Sequence, residues 1–398
     1  MANSWIKRDF EQKIRQQVKS RPAVVLTGPR QTGKTSILKH IFPNYRFVSL
    51  DLPSIAQQAE ENPEIFLKDN PPPVIIDEVQ YAPKLFRHLK IVIDADRSAK
   101  GQYILTGSQK FQLMKEVSES LAGRVSILDF EPLSYHEIAT FRPDISYEQC
   151  MLKGGFPEVF VEDLDAFSFF QSYVASYLER DLRQVLNVGH LRDFERFLRG
   201  CALRSGQILN KSDLAKDVGI SPSTSNQWLS ALEAAGLVKI LEPWFSNQGK
   251  RMVKSPKIYL NDSGLLCFLL NIQTEAELTK SPFIGQIWET YIFSELRKKL
   301  NLMDRARNLF FWRDRAKEID FIYHQGGMYT LFETKYSSDP NKSHVSGLEY
   351  VKKIIGSDQV AKSYLLTRAQ QEFTIAPNTT ALPLSNIFHL WDSHSENN

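Results

Sequence analysis

The sequence predicts a multi-domain α/β protein: a parallel sheet with a phosphate-binding loop, then a helical segment, a helix-turn-helix with a hairpin, and a smaller α/β domain at the carboxyl end. Three stretches lead to that reading. Ala23 to Ser36, AVVLTGPRQTGKTS, runs from an apolar strand through a glycine turn into a helix. Pro73 to Gln80, PVIIDEVQ, is a β-branched run that ends in two acids. Residues 318–336 alternate as two strands joined at Gly326 and Gly327, with acids and a lysine on one face.

A chain of 398 residues is too long for one hydrophobic core, so two to four domains are expected. Hydrophobic residues at 42% and charged residues at 24% fit a soluble globular protein without long disorder. The net charge of +3 gives little overall field, so nucleic-acid binding would have to rest on local basic patches. Cys150, Cys201 and Cys267 lie far apart without metal-ligand spacing and read as buried apolar residues in a reducing compartment. The amino terminus becomes charged too early for a signal-peptide core, and no run nears the roughly 18 apolar residues of a membrane span. A cytoplasmic protein with no membrane contact is expected.

Gly28, then Pro29, Arg30, Gln31 and Thr32, then Gly33, Lys34 and Thr35 fit GxxxxGK[ST] in full. Glycines let successive N–H groups turn toward phosphate oxygens, and the helix entered through Lys34, Thr35 and Ser36 adds its positive end. Lys34 would reach the β and γ phosphates of ATP, and the Thr35 hydroxyl would ligate Mg²⁺. A chance glycine turn before an amphipathic helix would look the same in isolation. The acid pair removes that reading: Asp77, at the carboxyl end of a buried strand, would support the metal, and Glu78 would orient and deprotonate the attacking water.

Between and after these stretches, Asp9–Ser20 reads as an amphipathic helix and Tyr45–Asp51 as a strand. Leu52–Asn70 reads as helical with a break near Pro63. Pro83–Arg97 has a helical period in Leu85, Leu89, Val92 and Ile93. Gln102–Thr106 is a further strand running into Gly107, Ser108 and Gln109. Ligands of such sheets sit beyond the carboxyl strand ends, so Ser108 or Gln109 is either a sensor of the γ-phosphate or a simple turn.

GPRQTGKTS, VIIDEVQ, ILTGSQ, SLAGRV, PLSYHE, GGFPEV and YLERDL, taken in order, resemble the bacterial and archaeal AAA+ ATPases that carry an uncharacterised carboxyl-terminal domain. The resemblance spans nearly the whole chain. It implies a homo-oligomer, such as a ring, and makes Arg124 a phosphate-facing or trans-acting residue with Arg180 as a second candidate. An ordinary helix-end salt bridge is the alternative for each.

Residues 133–200 read as a helical lid. From Gln207, Asn210 or Ser212 caps a helix to Val218, Gly219 turns, and Ser221 with Pro222 opens a second helix closed by Gly236. With strands at Leu237–Leu241 and Lys257–Leu260 this is a winged-helix layout. It would present Ser223, Ser225, Asn226, Gln227 and Ser230 to DNA, with Lys250, Arg251, Lys254 and Lys257 toward the backbone. Thr274–Pro282 reads as a linker. Beyond it a helix carries Glu289 off its apolar stripe, and Asp320, Glu333 and Lys335 follow on the strand pair. That set resembles the PD-(D/E)XK nucleases, with Ile319 where the motif has proline. The resemblance implies Mg²⁺ on Asp320 and Glu333 and a water-orienting Lys335, with Arg297, Lys298, Lys299, Arg313, Arg315 and Lys317 tracking a nucleic-acid strand.

The expected organisation is an AAA+ P-loop core at 1–132, the lid at 133–200, a winged helix at 201–273 and a nuclease-like domain at 274–398. Two functions stay open: ATP-driven action on DNA with a gated nuclease, or a nucleotide-switched module that binds DNA or protein and cuts nothing.

Overall fold

A computed structural model describes residues 5–108, 110–177, 191–244, 255–314 and 317–391. Gln109, Arg180, Lys250, Arg251, Lys254 and Arg315 lie outside the described residues. The chain forms two compact units: Met1–Leu133 with Phe156–Val161 and Ala234–Gly236, and Ser134–Gly155 with Glu162–Glu233 and Leu237–Asn398.

In the first unit the strands are Ala23–Thr27 (β1), Arg46–Ser49 (β2), Val74–Asp77 (β3), Tyr103–Gly107 (β4) and Val125–Asp129 (β5). They form one parallel sheet in the order β2-β3-β4-β1-β5. Every residue of β1, β3 and β4 is buried, as central parallel strands covered on both faces require. Thr27 pairs with Gly107 and Asp129, so the carboxyl ends of β1, β4 and β5 share one edge of the sheet. Asp77, opposite Ser49, ends β3 on the same edge. The expected break at Pro63 separates helices Pro53–Glu61 and Pro63–Asp69, each with proline in its first turn, where the missing N–H costs no hydrogen bond. Helix Leu85–Ala95 buries Leu85, Leu89 and Ile93, but Val92, expected on that stripe, is 42% exposed.

The second unit opens with helices Tyr135–Phe141 and Tyr147–Lys153, each started by a capping box, from Ser134 with Glu137 and from Ser146 with Gln149. Gly154 has φ +67, and a Cβ there would stand 2.3 Å from Asp262, whose carboxylate accepts from the Gly155 N–H at 2.7 Å. Helices Lys211–Val218 and Pro222–Ala234 flank Gly219, which takes φ +81 in the turn. Gln207–Ile208 (β6), Val238–Leu241 (β7) and Lys257–Leu260 (β8) make a three-stranded antiparallel sheet with β8 in the middle. Two expectations are corrected here. Ser225 is 1% exposed and turns its hydroxyl to the Lys211 carbonyl, while Ser223, Asn226, Gln227 and Ser230 are exposed. The expected linker holds a helix, Glu275–Lys280, because Thr274 and Glu277 form a capping box.

Beyond it lies a six-stranded mixed sheet: Leu309–Arg313 (β9), Glu318–Gln325 (β10), Met328–Thr334 (β11), Val360–Thr367 (β12), Phe373–Ala376 (β13) and Thr379–Pro383 (β14), ordered β13-β14-β12-β11-β10-β9. Gln325 pairs with Met328 across Gly326 and Gly327, both at positive φ, the two-residue turn that matches strand twist. Helix Ile284–Leu302 buries Ile287, Trp288, Tyr291, Ile292 and Leu296. The main chain beyond β7 reaches β9, with Trp244 N–H donating to Phe311 O at 2.7 Å and Phe311 N–H to Glu242 O at 3.2 Å. The two sheets thus belong to one unit. Cys150, Cys201 and Cys267 are buried free thiols, and burial pushes each thiol up, Cys150 and Cys201 to about 12.

Candidate functional sites

The phosphate loop joins β1 to helix Lys34–Ile41, with Gly33 at φ +90 and Gln31 at φ +58. Gly28 takes φ +145, and a Cβ there would stand 2.0 Å from the Phe130 carbonyl oxygen, so no side chain fits. Pro29 and Thr32 are buried, Arg30 is half-buried, Gln31 and Ser36 are exposed, and the Thr32 hydroxyl donates to Pro29 O at 2.9 Å. Lys34 is buried, and its Nζ donates to Gly28 O at 3.0 Å and Pro29 O at 2.6 Å. Burial lowers its ammonium to about 8 against the pull of Glu78 and Asp77.

Thr35 Oγ1 donates to Asp77 at 3.0 Å, and the Thr106 hydroxyl from β4 donates to the same carboxylate. Burial raises Asp77 against those two bonds. Glu78 sits at φ +54, a left-handed backbone uncommon for a non-glycine residue, and this aims its carboxylate across to β4. There it accepts from Ser108 N at 3.2 Å, from the Ser108 hydroxyl at 3.0 Å and from Gln80. Burial pushes Glu78 up, but Gln80, the Lys34 charge and Ser108 outweigh it and hold the carboxyl below its usual range. Glu78 is therefore ionised at neutral pH, as a base must be.

One hydroxyl and one carboxylate are what Mg²⁺ takes from a protein when phosphates and water supply the rest of an octahedral shell. Thr35 and Asp77 fit that donor set, and Lys34, held only by neutral carbonyls, can turn to a phosphate.

Sequence reasoning missed Arg8. Its guanidinium donates to Thr32 O at 3.0 Å and Glu131 O at 2.7 Å and lies 4.2 Å from the centre of the Phe130 ring. The signal, one arginine in a charged amino-terminal stretch, is too common to single out.

Arg124 is corrected as a phosphate-facing residue of its own nucleotide site. It precedes β5 at the amino edge of the sheet, a strand length of about 16 Å from the loop edge. There it donates to Asp94 at 2.8 and 2.7 Å.

The second unit gathers Glu289, Asp320, Glu333 and Lys335 around a cleft of about 590 Å³ that Lys257 and Glu318 also line. Asp320 accepts from Thr334 N–H and Oγ1, both at 2.8 Å. Glu333 lies 3.5 Å from Lys335 Nζ. Burial, with the Asp320 charge, raises Glu333 to about 9. Glu289 accepts from Lys257 Nζ at 2.8 Å and the Tyr259 hydroxyl at 2.7 Å, and burial raises it to about 7. Lys257 also pairs with Glu318 at 2.5 Å. Its side chain is 2% exposed, which corrects its expected place on a DNA-facing wing. Lys298 and Lys299 are buried too, the former on Glu295 at 2.8 Å.

Asp320 and Glu333, the residues expected to hold Mg²⁺, line that cleft together with Lys257 and Glu318. Among the described residues no group of three or more acids, histidines or cysteines is placed to hold a metal ion. Lys257 stands among the acids that would have to supply one.

Residues 20–139 match the AAA domain family, and the parallel sheet of the first unit resembles a P-loop ATPase core. Residues 144–276 and 284–387 match two domains of unknown function, DUF8612 and DUF4143. The uncharacterized protein Rv2008c of Mycobacterium tuberculosis is 29% identical over 392 residues, 96% of this chain and 84% of the relative. MJ1544 of Methanocaldococcus jannaschii, also uncharacterized, is 24% identical over 330 residues, 75% of this chain and 71% of the relative. Among solved structures, the Thermotoga maritima RuvB Holliday junction branch migration motor aligns at TM-score 0.31 and 16% identity, over 59% of this chain and 89% of that one. Protein VC1899 of Vibrio cholerae aligns at TM-score 0.22 and 14% identity, over 94% and 96%. The fold stands on the geometry above, not on these two alignments. No helix among the described residues is long and apolar enough to cross a membrane.

Proposed function

We propose that this AAA-domain chain hydrolyses ATP and spends the resulting conformational change on DNA, working as a homo-oligomer. The observation that carries the hydrolysis is the acid pair. Asp77, held by Thr35 and Thr106, has the place of a metal-supporting carboxylate, while Glu78, held toward Ser108, is an ionised base beside it. Bound Mg²⁺ would neutralise charge building on the β and γ phosphates. Lys34 would leave the Gly28 and Pro29 carbonyls for the γ-phosphate, and Glu78 would take the proton of the attacking water. DNA is the favoured partner because helix Pro222–Ala234, second of a helix-turn-helix before a hairpin, exposes Ser223, Asn226, Gln227 and Ser230.

ATP turnover measured without DNA and with duplex, forked and single-stranded DNA tests both parts. Glu78→Gln is expected to retain ATP binding and lower turnover by about a hundredfold or more. Turnover at the parent rate would remove the assigned role of Glu78. Stimulation by one DNA class, reduced by alanine at Ser223, Asn226 and Gln227, is expected; indifference to all three classes would end the DNA half. A second reading, a nucleotide-switched module that binds without cutting, is favoured by the position of Lys257.

A further inference from the structure

We infer that Lys257 is the resident cation of the carboxylate cleft in the second unit, so that this site takes no divalent metal and hydrolyses no phosphodiester. Three observations carry it. The Lys257 ammonium, on a side chain only 2% exposed, contacts Glu289 at 2.8 Å and Glu318 at 2.5 Å. Glu289 comes from helix Ile284–Leu302 and Glu318 from the start of β10, so one amine joins two of the elements that line the cleft. Asp320, the carboxylate a metal would need next, has one oxygen committed to both the N–H and the hydroxyl of Thr334.

The charge balance agrees with the geometry. A cluster of buried acids needs compensation by a cation of some kind, and an unpaired buried charge is costly. Lys257 supplies part of that compensation covalently, and the Tyr259 hydroxyl, two residues along β8 on the same face, donates to the same Glu289 oxygen. A Mg²⁺ ion entering here would have to displace an ammonium already paired with Glu289 and Glu318. The inference is independent of ATP hydrolysis in the first unit, and its test does not read nucleotide turnover.

The test uses the full chain with Asp77→Asn, which removes the carboxylate at the end of β3 that would support a metal in the first unit, and titrates Mn²⁺ by electron paramagnetic resonance without nucleotide. With Lys257 intact, the expected uptake is none that depends on Asp320. Lys257→Met is expected to gain one Mn²⁺ with an affinity at least about tenfold above that background, lost again when Asp320→Asn is added. Mn²⁺ uptake by the chain with Lys257 intact that Asp320→Asn abolishes would overturn the inference, and this arm stands even if Lys257→Met fails to fold. A folded Lys257→Met that takes up no Mn²⁺ would overturn it too.

Discussion

Lys34 and Lys257 are both buried lysines that stand beside carboxylates, and they are held in opposite ways. Lys34 rests on two neutral carbonyls, and burial lowers its ammonium to about 8. Lys257 rests on two carboxylates, Glu289 and Glu318, whose charges outweigh burial and raise its ammonium above the ordinary lysine value. The first is a cation without a full counter-charge, in surroundings that a phosphate would complete. The second already has its anions. Residue type and burial are shared, so the partner alone separates a ligand-binding lysine from a structural one.

Replacing each lysine is the strongest way to break that contrast. Lys34→Ala is expected to abolish ATP binding, measured by calorimetry, while leaving the melting temperature near that of the parent, because Glu78 keeps its bonds from Ser108 and Gln80, and Asp77 those from Thr35 and Thr106. Lys257→Met should do the reverse: it leaves buried Glu289 without its counter-charge and lowers stability by about 3–5 kcal/mol. Adding Glu289→Gln and Glu318→Gln should recover part of that loss. If Lys257→Met melts like the parent, the two lysines do not differ in the way their partners indicate.

How much of this was legible in the sequence follows the same line. The phosphate loop, Asp77 and Glu78 could be read because their spacing along the chain is itself the signal, and the glycines are demanded by backbone conformation. Ser108 could be reached because it follows a strand on the same sheet edge. Lys257 could not be read: it is separated in sequence from Glu289 and Glu318, and its neighbours look like a basic wing. The left-handed backbone of Glu78 left no trace either, since nothing in the residue type asks for φ +54. Asp320, Glu333 and Lys335 were placed together correctly by strand alternation. What strand alternation could not show is the cation beside them, Lys257, which comes from a different sheet.

Glu333 sharpens the comparison with a smaller effect. Its carboxyl, about 9 in the folded chain against 4.5 for an ordinary glutamate, binds its proton more tightly when folded. The stability tied to that proton is complete below about 4.5 and is lost as pH rises through about 9. Glu333→Gln, which keeps the shape and cannot ionise, should therefore stabilise the chain progressively more as pH rises from about 4.5 towards 9, and little at pH 4. Melting curves across that range decide it; a benefit that does not grow with pH would show that Glu333 is ionised in the folded chain.

Arg124 offers the smallest effect on stability and the finest test of the first unit. Its ion pair with Asp94 lies at the amino edge of the sheet, so within one chain it stands away from Lys34 and Glu78. Any role in hydrolysis must then be exerted on the nucleotide of another copy. Arg124→Ala alone should melt close to the parent, since Asp94 is partly exposed and keeps its pair with Arg97. If the arginine acts across a subunit boundary, Arg124→Ala should nonetheless lose turnover while still binding ATP. Mixing it with the Glu78→Gln chain should restore part of that turnover, because the mixed assembly contains boundaries where an intact Glu78 meets an intact Arg124. Size-exclusion chromatography with ATP supplies the necessary control that both variants assemble. No recovery at any mixing ratio, with assembly intact, would reduce Arg124 to the salt bridge the structure shows.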